Sequence, residues 1–214
     1  MRWEAEPGRM LCMTSFRLPG VPDEFRSLRP GEGEATVDGG SVTLRAAAGD
    51  DLFNRPGTDS VVQSATVFAF PVEDDFTLEA EVEVDFRDCF DSAVLVGHLD
   101  GLQWFKLCAE LDEVGRPRIM SVVTRDRSDD ATGVHLPAGP VRLRMSRAGT
   151  MISLHYHSEG RWELARYFGF PLTGSEGGLK AGIAVQSPRG NGTTATFRHV
   201  TFRAAGITDV RSGE

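Results

Sequence analysis

The chain has 214 residues, of which 40% are hydrophobic and 25% charged, and its formal net charge is −8 with a pI of about 5.2. This composition is typical of a globular protein that is large enough to bury a core without disulfides or a structural metal. The acidic balance argues against a nucleic-acid partner, because phosphate binding requires a basic surface, and no apolar run is long enough to cross a membrane.

Strand signals follow one another along the chain, and helical periodicity is nearly absent. The first ten residues, MRWEAEPGRM, lack the apolar core of a secretion signal. A single helical turn is predicted over residues 48–54, where Asp50 or Asp51 can serve as the N-cap. Elsewhere, alternating apolar and polar residues between turns rich in glycine and proline predict strands. The predicted strands are 10–17, 41–47, 61–70, 75–86, 92–99, 102–111, 117–125, 140–147, 150–157, 161–168, 180–187 and 193–204.

Many short strands at regular spacing are typical of a sandwich or a barrel. No repeat, low-complexity tract or long linker divides the chain. We therefore predict one domain over residues 1–205 and a frayed C-terminal tail over residues 206–214.

The alternation also assigns residues to the two faces of each strand. In QWFKLCAEL, residues 103–111, the side chains of Trp104, Lys106 and Glu110 lie on one face and the odd-numbered apolar residues lie on the other. In RWELARYF, Trp162 and Phe168 are expected on the same apolar face. Sheets with one apolar and one mixed face pack as a two-layer sandwich.

The three cysteines are Cys12, Cys89 and Cys108. Their number is odd and none belongs to a C-x-x-C motif, which predicts reduced thiols in a cytoplasmic protein.

Four segments resemble a known family: WFKLCAEL at 104–111, SVVTRDRSDD at 121–130, GRWELARYF at 160–168 and AGIAVQSPRGNGTTATF at 181–197. They are similar, in the same order, to segments of the uncharacterised proteins named for the domain of unknown function 1349. The resemblance implies an all-β fold, the two-sheet antiparallel jelly roll of concanavalin A-like lectins and glucanases. Asp130 stands where the family usually has a tryptophan, so a sugar-stacking ring is missing there. The family has no established activity, and the resemblance therefore implies architecture rather than chemistry.

The face that carries Trp104, Lys106 and Glu110 is the first candidate site. An aromatic plane, a cation and a carboxylate on one strand can bind a polar ligand on the concave sheet. If these charges are buried, they need partners from neighbouring strands. A structural charge network under the sheet is the favoured alternative. The arginines available to neutralise Glu110 are Arg125, Arg144 and Arg166.

The acidic strand FTLEAEVEVDF, residues 76–86, is a second candidate. Its carboxylates Glu79, Glu81 and Glu83 resemble the E-x-D-x-(x)-E strand of jelly-roll glucanases, and alternate residues on a strand lie about 6.6 Å apart, within the range for hydrolase carboxyl pairs. The central residue is Glu81 rather than aspartate, and the flanking residues are aliphatic. A solvated sheet face that does no chemistry is therefore favoured.

The segment TRDRSDDATG, residues 124–133, can offer oxygen ligands to calcium through Asp126, Asp129 and Asp130, with Ser128 and Thr132 nearby. It lacks the spacing of a calcium loop, and a polar hairpin loop is favoured. We therefore predict no metal or other cofactor, with calcium as the ion that remains open.

His155 and His157 share one face of a strand, which is a known zinc geometry, but no third ligand is evident. Two exposed histidines are the favoured interpretation. Together with Arg125, both histidines remain candidate contacts for a ligand.

These patterns favour a non-catalytic module that binds a carbohydrate or another polar ligand on the concave sheet, and they leave the oligomeric state open. The first alternative is a glycoside hydrolase or lyase that uses paired carboxylates. The second is a protein-interaction domain. A binding module should have an exposed aromatic ring in its groove, with Trp104 as the expected ring, whereas a hydrolase should have two carboxylates flanking a cleft and an interaction domain a large apolar patch.

Overall fold

The computed structural model describes residues 11–29, 34–172 and 177–214, with only the main chain described at Leu11 and Cys12. Met10, the first residue of a predicted strand, and the side chain of Cys12 lie outside this part. All regular structure in the described residues is β-strand, so none of them forms a helix that could span a membrane. The strands are β1 (Leu11–Cys12), β2 (Ser15–Phe16), β3 (Phe25–Ser27), β4 (Glu34–Asp38), β5 (Ser41–Ala46), β6 (Leu52–Asn54), β7 (Val61–Gln63), β8 (Thr66–Pro71), β9 (Phe76–Val84), β10 (Ser92–Asp100), β11 (Gln103–Leu111), β12 (Pro117–Arg125), β13 (Arg127–His135), β14 (Val141–Ala148), β15 (Met151–Ser158), β16 (Arg161–Gly169), β17 (Lys180–Gln186) and β18 (Thr193–Arg203).

Two large antiparallel sheets pack as a sandwich, which confirms the predicted all-β fold. Sheet A has the order β1-β4-β5-β18-β9-β14-β15-β16, and sheet B has the order β13-β12-β11-β10-β17-β8-β3-β2. Strands β6 and β7 form a separate two-stranded hairpin. The long neighbouring strands β14, β15 and β16 are joined by short turns. In the β15–β16 turn, Glu159 and Gly160 both have positive φ, as a two-residue hairpin turn of type I′ requires.

The main core lies between the sheets and is built from the apolar residues of each alternating strand. On β11 it takes Phe105, Leu107 and Ala109, and on β15 it takes Ile152 and Leu154. The inward positions on β11 match the apolar face predicted for that strand. The opposite faces of β11 and β15 consequently point away from the core, toward the outer surfaces of the two sheets.

Several local expectations are wrong. The predicted helical turn at residues 48–54 is instead a bend followed by β6, and the predicted polar loop within residues 124–133 is largely the edge strand β13. On β16, a register shift between the pairs His155↔Leu164 and Leu154↔Arg166 changes the phase of the alternation. Trp162 and Phe168 therefore lie on opposite faces rather than on one, because a bulge adds one residue to the strand.

The C-terminal tail is docked and not frayed. It lies on the outer face of sheet A, where Ile207 is buried and its N–H donates to Ser146 Oγ at 3.1 Å. Nearer the end, His155 Nε2 lies 2.8 Å from the carbonyl oxygen of Val210, and Arg144 donates to the carbonyl oxygen of Gly213. The tail is thereby held by side chains of β14 and β15.

Candidate functional site

A cleft of about 450 Å³ opens on the outer face of sheet B. Side chains of β11, β12, β13 and β17 form its floor. Its walls are the hairpin β6–β7 and the turns that follow β9, β11 and β17. The residues that carry its chemistry are Lys106, Glu110, Arg118 and Gln186 on the floor, and Phe53, Arg55, Phe90, Glu113 and Arg189 on the walls.

Lys106 lies on the floor of the cleft and is only 2% exposed. Its Nζ donates to the main-chain oxygen of Leu52 at 2.8 Å and to Oε1 of Gln186 at 2.9 Å. The ammonium group also lies 5.6 Å from the ring centroid of Trp104. Leu52 belongs to the hairpin and Gln186 to β17, so this one side chain connects the wall of the cleft to two strands of its floor.

Glu110 stands two residues beyond Cys108 on the same face of β11 and is 5% exposed. Its Oε1 accepts hydrogen bonds from Nη2 of Arg118 at 3.0 Å and from Nε of Arg118 at 3.2 Å. Nη1 of Arg118 also donates to Glu113 at 3.3 Å. Burial raises the pKa of Glu110, and Lys106 and Arg118 offset part of that rise. The carboxyl group is therefore a buried, partly compensated acid beside an open cleft, a combination that is frequent at functional sites.

Phe90 contributes to a wall of the cleft with its backbone in the left-handed region, at φ 72°. This conformation is unfavourable for an aromatic residue, so neighbouring contacts must hold it. Its N–H donates to the carbonyl oxygen of Leu111 at 2.7 Å. The buried carboxylate of Asp91 accepts two main-chain N–H groups of the same turn at 3.0 Å and the hydroxyl of Ser187 at 2.6 Å. Asp91 thus positions the turn against the end of β17, where Arg189 lies 5.9 Å from the Phe90 ring centroid.

The hairpin β6–β7 is anchored to sheet B by a fully buried asparagine, Asn54. Its main-chain N–H donates to Ser128 Oγ at 2.9 Å. Its side-chain amide donates to the carbonyl oxygens of Gly101 at 3.0 Å and Asp126 at 3.1 Å. These bonds fix the hairpin as a wall of the cleft.

Trp104 is not the exposed ring that the sequence predicts. It is 0% exposed and belongs to a small apolar cluster beneath the hairpin, which includes Leu52. Its indole N–H has no hydrogen-bond partner among the described residues. The aromatic rings that line the cleft are instead those of Phe53 and Phe90.

The arginine that neutralises Glu110 is Arg118, and the three predicted candidates lie elsewhere. Arg125 donates to the carbonyl oxygen of Gly169 and its guanidinium carbon lies 5.7 Å from the Phe170 ring centroid. The structure therefore does not bring Arg125 into the cleft with Lys106 and Glu110. Arg144 pairs with Glu79 at 2.8 Å, and Arg166 pairs with Asp129 at 3.2 Å.

The two predicted histidines are on the other sheet. His155 is fully buried beneath the C-terminal tail, and burial lowers its pKa. His157 packs edge-on against Trp162, with ring centroids 5.3 Å apart. The structure therefore separates both histidines from the cleft, and His155 is not the exposed side chain that was expected.

The acidic strand is β9, which lies within sheet A. Its carboxylates are on the outer face of that sheet, beside arginines of the neighbouring strands. Glu79 pairs with Arg142 at 3.2 Å, and Glu83 pairs with Arg198 at 2.7 Å. Glu81 stands across from Arg142 on one side and Arg198 on the other. The sandwich core separates these carboxylates from the cleft.

No group of three or more His, Cys, Asp or Glu side chains is arranged to hold a metal ion in the described residues. Asp129 and Asp130, which the sequence suggests as calcium ligands, are exposed on the edge strand β13. Asp126 forms an ion pair with Arg127 at 2.9 Å.

Two described cysteines are free thiols. Cys89 is half-buried in the turn before Phe90, and Cys108 is fully buried on β11 between Lys106 and Glu110. Burial raises the pKa of Cys108 to about 12, so its thiol stays protonated.

The large hydrophobic side chains that are exposed in the described residues are distributed over separate strands and turns. They are Val37, Val61, Leu102, Val114, Val134 and Tyr167.

Sequence reasoning missed the walls of the cleft and part of its floor. Gln186 and Arg189 lie within QSPRGNG, a segment that the family resemblance includes, but a glycine-rich turn carries no signal for a site by itself. Arg118 was detectable, because a hairpin centred on Val114 places it directly opposite Glu110. The strained backbone of Phe90 leaves no signature in the sequence.

A family model described as "Protein of unknown function (DUF1349)" matches residues 29–205. No curated protein matches the chain. Among solved structures, a functionally unknown protein from Saccharomyces cerevisiae is similar with a TM-score of 0.72 and 21% identity, over 81% of this chain and 96% of that one.

Two enzymes have similar folds. A xylan beta-1,4-xylosidase from Bacillus halodurans C-125 matches with a TM-score of 0.63 and 16% identity, over 79% of this chain but only 34% of its own. An alginate lyase from Klebsiella pneumoniae matches with a TM-score of 0.53 and 12% identity, over 80% of this chain and 84% of its own. At these identities the similarity shows the β-sandwich fold alone.

Proposed function

The chain belongs to the family of proteins of unknown function named DUF1349, and we propose that it is a binding module whose cleft on sheet B takes a carbohydrate. The observation that carries this proposal is the density of hydrogen-bonding groups between aromatic walls. The cleft is lined by four cations and four acids. The cations are Arg55, Lys106, Arg118 and Arg189, and the acids are Asp51, Glu110, Glu113 and Asp130.

A sugar suits this lining because each hydroxyl group both donates and accepts hydrogen bonds. The rings of Phe53 and Phe90 add apolar surface for the faces of a sugar ring, and a few directed polar groups among apolar walls are typical of small-molecule sites. Two of the segments that resemble the family contribute to the cleft, although they are distant in sequence. One contains Lys106 and Glu110, and the other contains Gln186. The fold therefore brings three residues from two of these segments into one cleft.

The proposal is tested with a glycan array, followed by calorimetric titration of the best ligands with and without calcium. Glu110→Gln should weaken binding at least about tenfold, because a hydrogen bond to a charged group contributes about 1.5–3 kcal/mol. Glu81→Gln makes the same chemical change on the opposite sheet and should leave the affinity unchanged. Equal losses in both variants, or no binding by the wild type to any glycan, would contradict the proposal.

A glycoside hydrolase or lyase is the second candidate, and the raised pKa of Glu110 favours it. A buried carboxyl group with a raised pKa can act as a general acid. In this case the wild type should release reducing or unsaturated sugars from a polysaccharide panel. Glu110→Gln should lose that activity even when it is assayed well below its own melting temperature, where the variant is folded. Binding without product release by the wild type would favour the binding module.

A further inference from the structure

We infer that the saccharide bound in the cleft carries a carboxylate, as a uronic acid does, and that Lys106 binds this group. The inference rests on the proposed carbohydrate-binding function and specifies its ligand class. It is carried by the unusual state of Lys106, which is a buried cation at the floor of an open cleft and forms no ion pair with a described carboxylate, although the charge of Glu110 acts on it from farther along β11.

The two acceptors that Lys106 uses are both neutral, the main-chain oxygen of Leu52 and the side-chain oxygen of Gln186. An ammonium group has three N–H donors, and the third has no acceptor among the described residues. Buried charges in proteins are normally paired, since an unpaired charge out of water is costly. A ligand carboxylate would supply an acceptor for the third N–H group and a negative charge in direct contact with the ammonium group.

The carboxylates of Glu110 on β11 and of Glu113 in the turn after β11 are already engaged. Glu110 takes two hydrogen bonds from Arg118, and Glu113 takes a third. Of the remaining acids, Asp51 accepts the N–H of Leu52 at 2.7 Å, and Asp130 is exposed on β13. No described carboxylate forms an ion pair with Lys106.

Two further cations face the cleft without a carboxylate partner among the described residues. Arg189 lies against the ring of Phe90, and Arg55 extends from the hairpin with no ion pair. Arginine binds carboxylates through two parallel N–H groups, whereas lysine acts as a point charge. A uronic acid whose carboxylate reaches Lys106 would therefore meet a second positive group at the wall, while its hydroxyl groups meet Glu110 and Gln186.

The test compares three forms of one sugar on the wild-type protein: an oligogalacturonide or oligoglucuronide, its methyl ester, and the neutral hexose oligomer of the same length. Esterification removes the charge and keeps the ring. The acid form should bind at least about tenfold more tightly than the ester, as expected for one charge-assisted hydrogen bond. The preference should decrease with added salt.

Lys106→Met should abolish the preference for the acid form. Arg198→Met, which makes a similar change on the opposite sheet, should retain it. Since Lys106 also holds the hairpin, Arg189→Ala serves as a variant at the wall that leaves this anchor in place, and it should reduce the preference.

Equal or tighter binding of the ester or the neutral sugar by the wild type would overturn this inference and leave the carbohydrate-binding proposal intact. A preference for the acid that Lys106→Met retains would also overturn it. If the wild type binds no saccharide of any form, both this inference and the carbohydrate-binding proposal are overturned.

Discussion

Replacing Arg118 with methionine tests how far Glu110 depends on the arginine across the β11–β12 hairpin. The side chains of Arg118 and Glu110 are only 10% and 6% exposed, and two N–H groups of the guanidinium contact Oε1 of the carboxylate. Removing one partner of a buried ion pair costs about 3–5 kcal/mol. Because Lys106 remains nearby and the cleft is open to water, we expect the lower end, about 3 kcal/mol. This corresponds to a decrease of about 6–12 °C in Tm for a chain of this size.

The loss of stability should depend on pH. Burial already raises the pKa of Glu110 above its usual value of 4.5, and Arg118→Met removes a charge and hydrogen bonds that lower it. A carboxyl group with a raised pKa in the folded state destabilises the protein once pH exceeds that pKa, and this cost disappears below the unfolded pKa. The stability difference between wild type and variant should therefore be larger at pH 7.5 and decrease as pH falls toward 4.5.

Urea denaturation at several pH values measures this difference, with the m-value as a check that the folded state has not changed. The double variant Arg118→Met/Glu110→Gln should recover most of the stability at pH 7.5, because it removes both charges of this buried pair together. A loss under about 1 kcal/mol, well below the range for a buried pair, would refute the reasoning. A loss of the same size at pH 4.5 and 7.5 would assign the effect to packing instead.

The remaining predictions concern thiols, the outer face of sheet A and its acidic strand. Thiol titration under denaturing, non-reducing conditions should count Cys12, Cys89 and Cys108 as free, whereas in the native protein Cys108 should not react; a count of one would indicate a disulfide. Trp162→Ala should cost about 3–5 kcal/mol, because the ring is enclosed by arginines and the C-terminal tail, and an unchanged melting temperature would show that this packing contributes nothing. Glu81→Gln should change the free energy of unfolding by less than about 0.5 kcal/mol, and sugar release by the wild type that this variant loses would assign catalysis to the acidic strand.

The alternation on β11 shows how much of the site the sequence predicts. A period of two residues correctly groups Trp104, Lys106 and Glu110 on one face, because neighbouring side chains on a strand must point in opposite directions. The same pattern cannot show what covers that face. Trp104 is buried because the hairpin β6–β7, some 40–50 residues earlier in the chain, folds over it. Such a contact depends on tertiary structure, which local periodicity does not report.

Trp162 shows a second reason why a sequence-based prediction can be wrong. The prediction assumes that β16 alternates without interruption, and the register shift after Leu164 breaks that assumption. A bulge needs no distinctive residue, so the sequence gives no warning of it. The consequence is large, because the tryptophan moves from the sandwich core to the outer face of sheet A. There the Arg144 guanidinium lies 3.8 Å from its ring centroid.

The partner of Glu110 could have been predicted. Residues that are equally distant from a tight turn face each other across a hairpin, and the turn between β11 and β12 places Arg118 opposite Glu110. The sequence-based choice of Arg125, Arg144 and Arg166 instead considered residue type without register. Hairpin register is therefore a better guide to buried ion pairs than the availability of charges elsewhere in the chain.

The proposed ligand contact at Lys106 and the support of the cleft depend on the same residue. The hydrogen bond from Lys106 to Leu52 holds the hairpin, and Asp91 holds the turn of Phe90 against Ser187. A substitution at Lys106 therefore removes the proposed ligand contact and a support for the wall at once, and its effect on affinity alone cannot separate the two. Glu110 also has a structural role, through its buried pair with Arg118, whereas among the described residues Arg189 contacts only the ring of Phe90. Chemical changes in the ligand, and variants at Arg189, consequently give the clearest test of the proposed binding.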